Sequence, residues 1–270
     1  MKGNKRILLA AAGALLLVLA VCALDVRLAV RRYSFVSEKI ITPVRLAVLT
    51  DLHSCRYGEG QGTLLSAVAA EEPDAVLLVG DIVDDKMPEE NAWVTLETLA
   101  ENYPCYYVTG NHEWWTDAER ICRVIEALGI TVLRGDSAEL TVGESTIYLC
   151  GLDDPDAGCW EEQWDMLQNS VKEETFTVLL SHRPERIGEY ETLGADLVVS
   201  GHAHGGQWRI PGVLNGLLAP NQGLFPAYAG GVYGLDGTTL IVSRGLARES
   251  TLVPRIFNRP EVVIVDLSGE

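Results

Sequence analysis

One pattern constrains this chain more than any other. An apolar, β-branched run of four to six residues ends at once in Asp, Asn or His, and it does so five times: VRLAVLTDLH (44–53), DAVLLVGDIVDD (74–85), CYYVTGNHE (105–113), TVLLSHRPE (177–185) and DLVVSGHAHGG (196–206). Such runs read as buried strands with polar ends. Helical patterns separate them, at Gly62–Glu71, Pro88–Asn102, Asp117–Leu128 and Pro184–Leu193. Thr116 and Glu119 have the spacing of a capping box at the start of the third helix. Alternating strands and helices predict an α/β fold, in which ligands gather where strands end at their carboxyl side. The stretch 207–267 is richer in glycine. Its clearest strands, TTLIVS and EVVIVDL, are expected to complete a second sheet.

All five histidines of the chain, His53, His112, His182, His202 and His204, follow one of these strand ends. A single histidine at a strand end is usually structural. Five of five, beside Asp51, Asp81 and Asn111, point instead to a metal cluster, because imidazole and carboxylate together suit Zn, Fe, Mn and Ni. In His202-x-His204 on an extended segment both side chains would share a face.

Composition narrows the function. Residues 1–33 carry six basic side chains and one acidic; the remainder carries 15 basic against 37 acidic, a net −22. So acidic a body repels polyanions, and nucleic acid is not an expected partner. The six cysteines form no C-x-x-C pair, which disfavours a zinc ribbon or disulfide framework and leaves free thiols. Ile7–Leu24 is uncharged over 18 residues. It predicts a retained single-pass membrane anchor with its flanks over residues 1–33, against the competing reading of a cleaved signal peptide. Lys2, Lys5 and Arg6 precede it and Arg27, Arg31 and Arg32 follow it, and the free amino terminus with Asp25 tilts the balance slightly toward an N-terminus inside and a body on the outer face. Residues 34–43 read as a linker, and 44–270 as one domain.

The motifs DLH (51–53), GDIVD (80–84), GNHE (110–113), SH (181–182) and GHAHGGQ (201–207) resemble, in order, the five blocks of the calcineurin-like metallophosphoesterases. The GHxHGGQ form, with the apolar leader, is similar to a bacterial membrane-associated branch that includes phosphodiesterases and UDP-diacylglucosamine pyrophosphatases. The resemblance implies a two-sheet sandwich flanked by helices and a site for two divalent ions, Mn, Fe, Zn or Ni. It implies Asp51, His53 and His204 on the first ion, Asn111, His182 and His202 on the second, and Asp81 bridging both. It makes His112 the general acid. The expected reaction is hydrolysis of a phosphodiester or pyrophosphate of a lipid-linked or envelope molecule. The alternatives are a tethered enzyme for soluble phosphodiesters and a non-catalytic scaffold.

Other positions have plainer expectations. Asp84 should fix the loop after Asp81, Cys55 should be a small buried hydrophobe, and Arg183 a solvated surface residue. Trp114 and Trp115 either wall the substrate or cover the third helix. GLFPAYAGGVY (223–233) either shapes the substrate mouth or is a turn with core aromatics.

Overall fold

The structure, a computed structural model, describes residues 2–168, 171, 174–251 and 253–270, with the side chains at 2–4, 6 and 8 excepted. Lys2 and Arg6 of the leader therefore lie outside the described side chains. The strands are β1 (Ala29–Val36), β2 (Val44–Leu49), β3 (Ala75–Val79), β4 (Cys105–Val108), β5 (Thr131–Val132), β6 (Asp136–Val142) and β7 (Ser145–Gly151). They continue as β8 (Phe176–Leu180), β9 (Leu197–Ser200), β10 (Leu218–Ala219), β11 (Gly223–Leu224), β12 (Gly231–Gly234), β13 (Thr239–Val242) and β14 (Glu261–Ser268). The helices are α1 (Lys2–Ala23), α2 (Gly62–Ala69), α3 (Glu90–Asn102), α4 (Asn111–Trp114), α5 (Ala118–Ala127), α6 (Trp160–Leu167) and α7 (Ile187–Tyr190).

Two mixed six-stranded sheets form a sandwich, in the orders β1-β14-β2-β3-β4-β5 and β12-β13-β9-β8-β7-β6. The five runs that end in Asp, Asn or His supply β2, β3, β4, β8 and β9, which pair in parallel within their sheets. Parallel strands covered on both faces must be apolar throughout, and every residue of β3 and β8 is buried. Leu46, Val48, Leu77 and Val79 of one sheet meet Leu149, Val178, Leu180 and Val199 of the other in the central layer. Helices α2, α3 and α5 cover the outer face of the first sheet. Trp160, Trp164 and Tyr190 from α6 and α7 cover the second.

Several expectations change. EVVIVDL does not complete the second sheet: as β14 it enters the first, antiparallel to β2 and parallel to β1. The expected linker 34–43 begins inside β1, whose register against β14 runs through Val36. The cap of α5 is Asp117, whose carboxylate accepts from Arg120 N, rather than Thr116. Pro184–Leu193 is helical, but broken into 3-10, α and 3-10 turns.

The expected anchor finds no support: among the described residues, no helix is long and apolar enough to cross a membrane. All six cysteines are free thiols.

Leu77 is fully buried between the sheets. Leu77→Ala should cost about 2–5 kcal/mol of stability, read by denaturant titration.

Candidate metal centre

The site forms where β2, β3, β4, β8 and β9 end. Each loop there turns sharply. Asp51, His53, Asp81, His202 and His204 all have positive φ, between 47° and 65°. Non-glycine residues adopt that region at a cost, and such strain concentrates at functional sites. His202-x-His204 is consequently not extended. It runs into a 3-10 turn, and the turn rather than strand alternation aims the two rings. Two glycines permit the close approach: a Cβ on Gly110 would stand 2.2 Å from Asp81 Oδ1, and one on Gly201 2.6 Å from Asp51 Oδ2.

The seven side chains expected to bind metal are all buried. Asp51, His53 and His204 form one group of potential ligand atoms, and Asp81, His182 and His202 another. Asp81 lies between them. Its Oδ2 is 3.1 Å from His182 Nε2 and 3.6 Å from His53 Nε2. Asp51 Oδ1 is 3.7 Å from His204 Nε2 and 3.8 Å from His182 Nε2. Asn111 lines the same cleft, of about 190 Å³, with His112, Trp115 and Arg183.

These groups fit divalent cations. His53 Nε2, Asp81 Oδ2, Asn111 Oδ1, His182 Nε2 and His204 Nδ1 are buried with no hydrogen-bond partner among the described residues. Buried polar atoms are rarely left so. The ring orientations agree: His182 Nδ1 stands 2.8 Å from the Val79 carbonyl, which can only accept, so Nδ1 carries a hydrogen and Nε2 is the atom turned to the cluster. His53 Nδ1 faces Asp84 Oδ1 at 2.8 Å, with the same result. Burial and the neighbouring His182 and Arg183 charges push His202 down to about 3; burial also takes His204 to about 3, against Asp51. Both rings stay neutral, as ligands must.

Around this core the structure adds residues that sequence reasoning missed. Glu113 is fully buried, and its carboxylate accepts from four backbone N–H groups: Asp81, Ile82, Val83 and Gly110. It ties the loop after β3 to the loop after β4. Burial and the nearby Asp81 charge raise its pKa. Its position inside the GNHE motif was the one available signal. Arg183 is buried, not solvated. Its Nε and Nη2 donate to Asp154 at 2.5 and 2.8 Å, and its Nη1 to Asn221 Oδ1 at 2.7 Å. Asn221 Oδ1 and Arg183 Nη1 lie 2.8 and 3.0 Å from His202 Nε2 and hold that ring in place.

Asp84 does more than fix its loop. Oδ2 accepts from Lys86 N and Met87 N, while Oδ1 holds His53. His112 is half-buried at the cleft, with Nδ1 2.7 Å from Asp85 Oδ1. Burial would lower its pKa, but the Asp84 hydrogen bond and the Asp81 and Asp85 charges push it up to about 9.

The tryptophans divide. Trp115 is 55% exposed, lies against the His112 ring at 4.4 Å and lines the cleft. Trp114 turns away to Thr109 and Arg134. Cys55 is buried in the core beneath α2 and α3. Within 223–233, Tyr228 and Tyr233 pack edge to face, while Leu224 and Phe225 are exposed; the cleft is lined instead by Pro220 and Asn221.

Comparison with known proteins places these features. The family model for calcineurin-like phosphoesterase matches residues 44–206. An uncharacterized metallophosphoesterase of Aquifex aeolicus is 28% identical over 257 residues, 90% of this chain and 93% of that protein. One from Helicobacter pylori is 30% identical over 177 residues, 63% of this chain; the match spans only 47% of that protein's length. A dimetal phosphatase from Danio rerio has a similar fold, with a TM-score of 0.50 and 14% identity over 76% of this chain and 88% of its own. A protein from Thermus thermophilus matches at 0.51 and 11% identity, over 76% of this chain and 91% of its own.

Glu113→Gln replaces one acceptor oxygen with an amide donor that faces backbone N–H groups. It should lower stability by about 1–3 kcal/mol, measured by thermal and chemical unfolding of the metal-free protein.

Proposed function

The chain belongs to the calcineurin-like phosphoesterase family, a family of metal-dependent phosphoester hydrolases that typically holds two metal ions, and on that premise we propose the roles of its residues and its substrate. Asp51, His53 and His204 would hold one ion, Asn111, His182 and His202 the other, and Asp81 would serve both. The observation that carries this reading is the set of five orphaned buried atoms, each on a different one of the seven side chains. Asp81 Oδ2, between His53 and His182, supports the bridge. The donor set of oxygens and imidazole nitrogens, without a thiol, suits Mn, Fe, Zn or Ni.

When bound, such cations would supply charge stabilisation to a phosphoryl group and an activated water. The chain's own part is to position and to move protons. Asp84 and the Val79 carbonyl orient the His53 and His182 rings, and Asn221 orients His202. His112, with Asp85 on Nδ1, donates from its other nitrogen to the leaving oxygen. Trp115 excludes water on the outer side of His112.

The substrate is a phosphodiester or pyrophosphate borne by a lipid-linked or envelope molecule, and the protein acts at the outer face. Two features support this: the branch whose GHxHGGQ motif the chain carries, and the exposed apolar side chains of Leu218, Leu224 and Phe225 beside the cleft-lining Pro220 and Asn221.

Two variants test the site. Asp81→Asn should reduce bound metal from two ions per chain to one or none, with hydrolysis lost. Asp84→Asn should keep both ions at saturation but weaken them roughly 10–100-fold, as loss of an outer partner does. An Asp81→Asn protein fully loaded and active would overturn the assignment.

His112→Ala should keep its metal yet lose roughly 10²–10⁴-fold in turnover on a poor leaving group, and much less on nitrophenyl esters. Equal loss on both would remove the acid role.

A further inference from the structure

From Leu197 to Leu235 the chain contains no Asp and no Glu, although the whole carries 38 in 270 residues. Within that acid-free stretch, residues 208–225 form a lobe of turns and one short hairpin, and its large side chains are uncovered. Trp208, Ile210, Val213, Leu218, Leu224 and Phe225 are all exposed, Val213 by 83% and Phe225 by 67%. Scattered apolar residues on a surface mean little; six within 18 residues need a covering.

Three observations say what covers them. Leu218 and Leu224 are direct cross-strand partners in the β10–β11 hairpin, so they stand side by side, and Phe225, the next residue in the chain, is exposed as well. The turn of that hairpin carries Pro220 and Asn221, which line the cleft, and Asn221 touches His202. The ridge therefore flanks the reacting centre within a few residues. Trp208 pairs with Ile256 and donates its indole N–H to the Pro254 carbonyl, while Phe257 N bonds the carbonyl of Ala23 at the end of α1. The lobe is thereby joined to α1, whose Leu15, Leu16, Leu17 and Val18 are exposed as well. The charge pattern agrees. A lobe that carries no carboxylate of its own, in a body of net −22, adds no repulsion toward an anionic headgroup layer, and Arg209 is the one basic side chain in the lobe.

We propose that residues 208–225 dock on a lipid surface, with the Leu218, Leu224 and Phe225 ridge among the acyl chains, so that the cleft receives a phosphoester held in that surface. Trp208 takes the interfacial position that its amphipathic ring favours. This inference rests on the proposed hydrolysis at the cleft, but the docking is testable apart from it.

The full chain, metal-loaded, is mixed with vesicles of phosphatidylethanolamine and phosphatidylglycerol, and amide hydrogen exchange is followed along the sequence. Amides in 208–225 should slow at least tenfold on vesicles and should not change when protein alone is concentrated. No slowing in 208–225 while α1 is protected overturns the docking, and so does slowing by protein concentration alone, which would make the lobe a contact between copies. The Leu218→Ser, Leu224→Ser, Phe225→Ser triple variant supplies the second arm. It should lose the protection, and lose tenfold or more in hydrolysis of a vesicle-borne phosphodiester, while keeping its rate on a water-soluble nitrophenyl phosphodiester within about twofold. Equal loss on both substrates would overturn the docking role. Protection without any hydrolysis of vesicle-borne esters would leave the docking standing and remove the lipid-linked substrate instead.

Discussion

Everything in this fold answers to the burial of Asp51 and Asp81 among four neutral-capable imidazoles at one edge of the sandwich. Carboxylates removed from water are costly unless they are paired, hydrogen-bonded or metal-bound. The chain partly offsets that cost itself. Asp51 accepts from Thr50 Oγ1 and His202 N, and Asp81 from His112 N. One oxygen of Asp81 still has no hydrogen-bond partner among the described residues, and this oxygen points between His53 and His182. The left-handed turns at five of the seven residues, and glycines where a Cβ would collide with a carboxylate, serve the same convergence.

Such strained loops need a frame that does not yield. The parallel strands β2, β3, β4, β8 and β9 are anchored in a continuous layer of Leu and Val between the sheets. Glu113 then acts as a clasp across two of the loops. A single buried carboxylate satisfies four N–H groups that would otherwise point into the protein without partners. Packing sets where the loops start, and this network sets their shape.

How much of this was legible depends on the range of the signal. The strand ends could be read because an apolar run followed by Asp or His is local, and the five motifs carried the family's ligand types in order. The shape of His202-x-His204 was not legible, because nothing in composition announces positive φ at a histidine. β14 could not be assigned to the first sheet, since Val263 opposite Val48 is a pairing across most of the chain. Arg183 looked like an ordinary surface arginine because its partners, Asp154 and Asn221, lie 29 and 38 residues away.

Charge explains how an acidic protein can work on a phosphate. Arg183, the buried arginine that lines the cleft, is committed, two of its nitrogens to Asp154 and the third to Asn221. Asp84, Asp85 and Asp156 stand nearby. A phosphate approaching these groups alone would be repelled. Attraction therefore has to come from cations gathered by the same carboxylates, which ties substrate affinity to metal occupancy rather than to any basic patch. The acid-free stretch from Leu197 to Leu235 completes that logic. It holds His202 and His204 near one end and the exposed Leu218, Leu224 and Phe225 further along, so this segment of the cleft wall adds no carboxylate of its own.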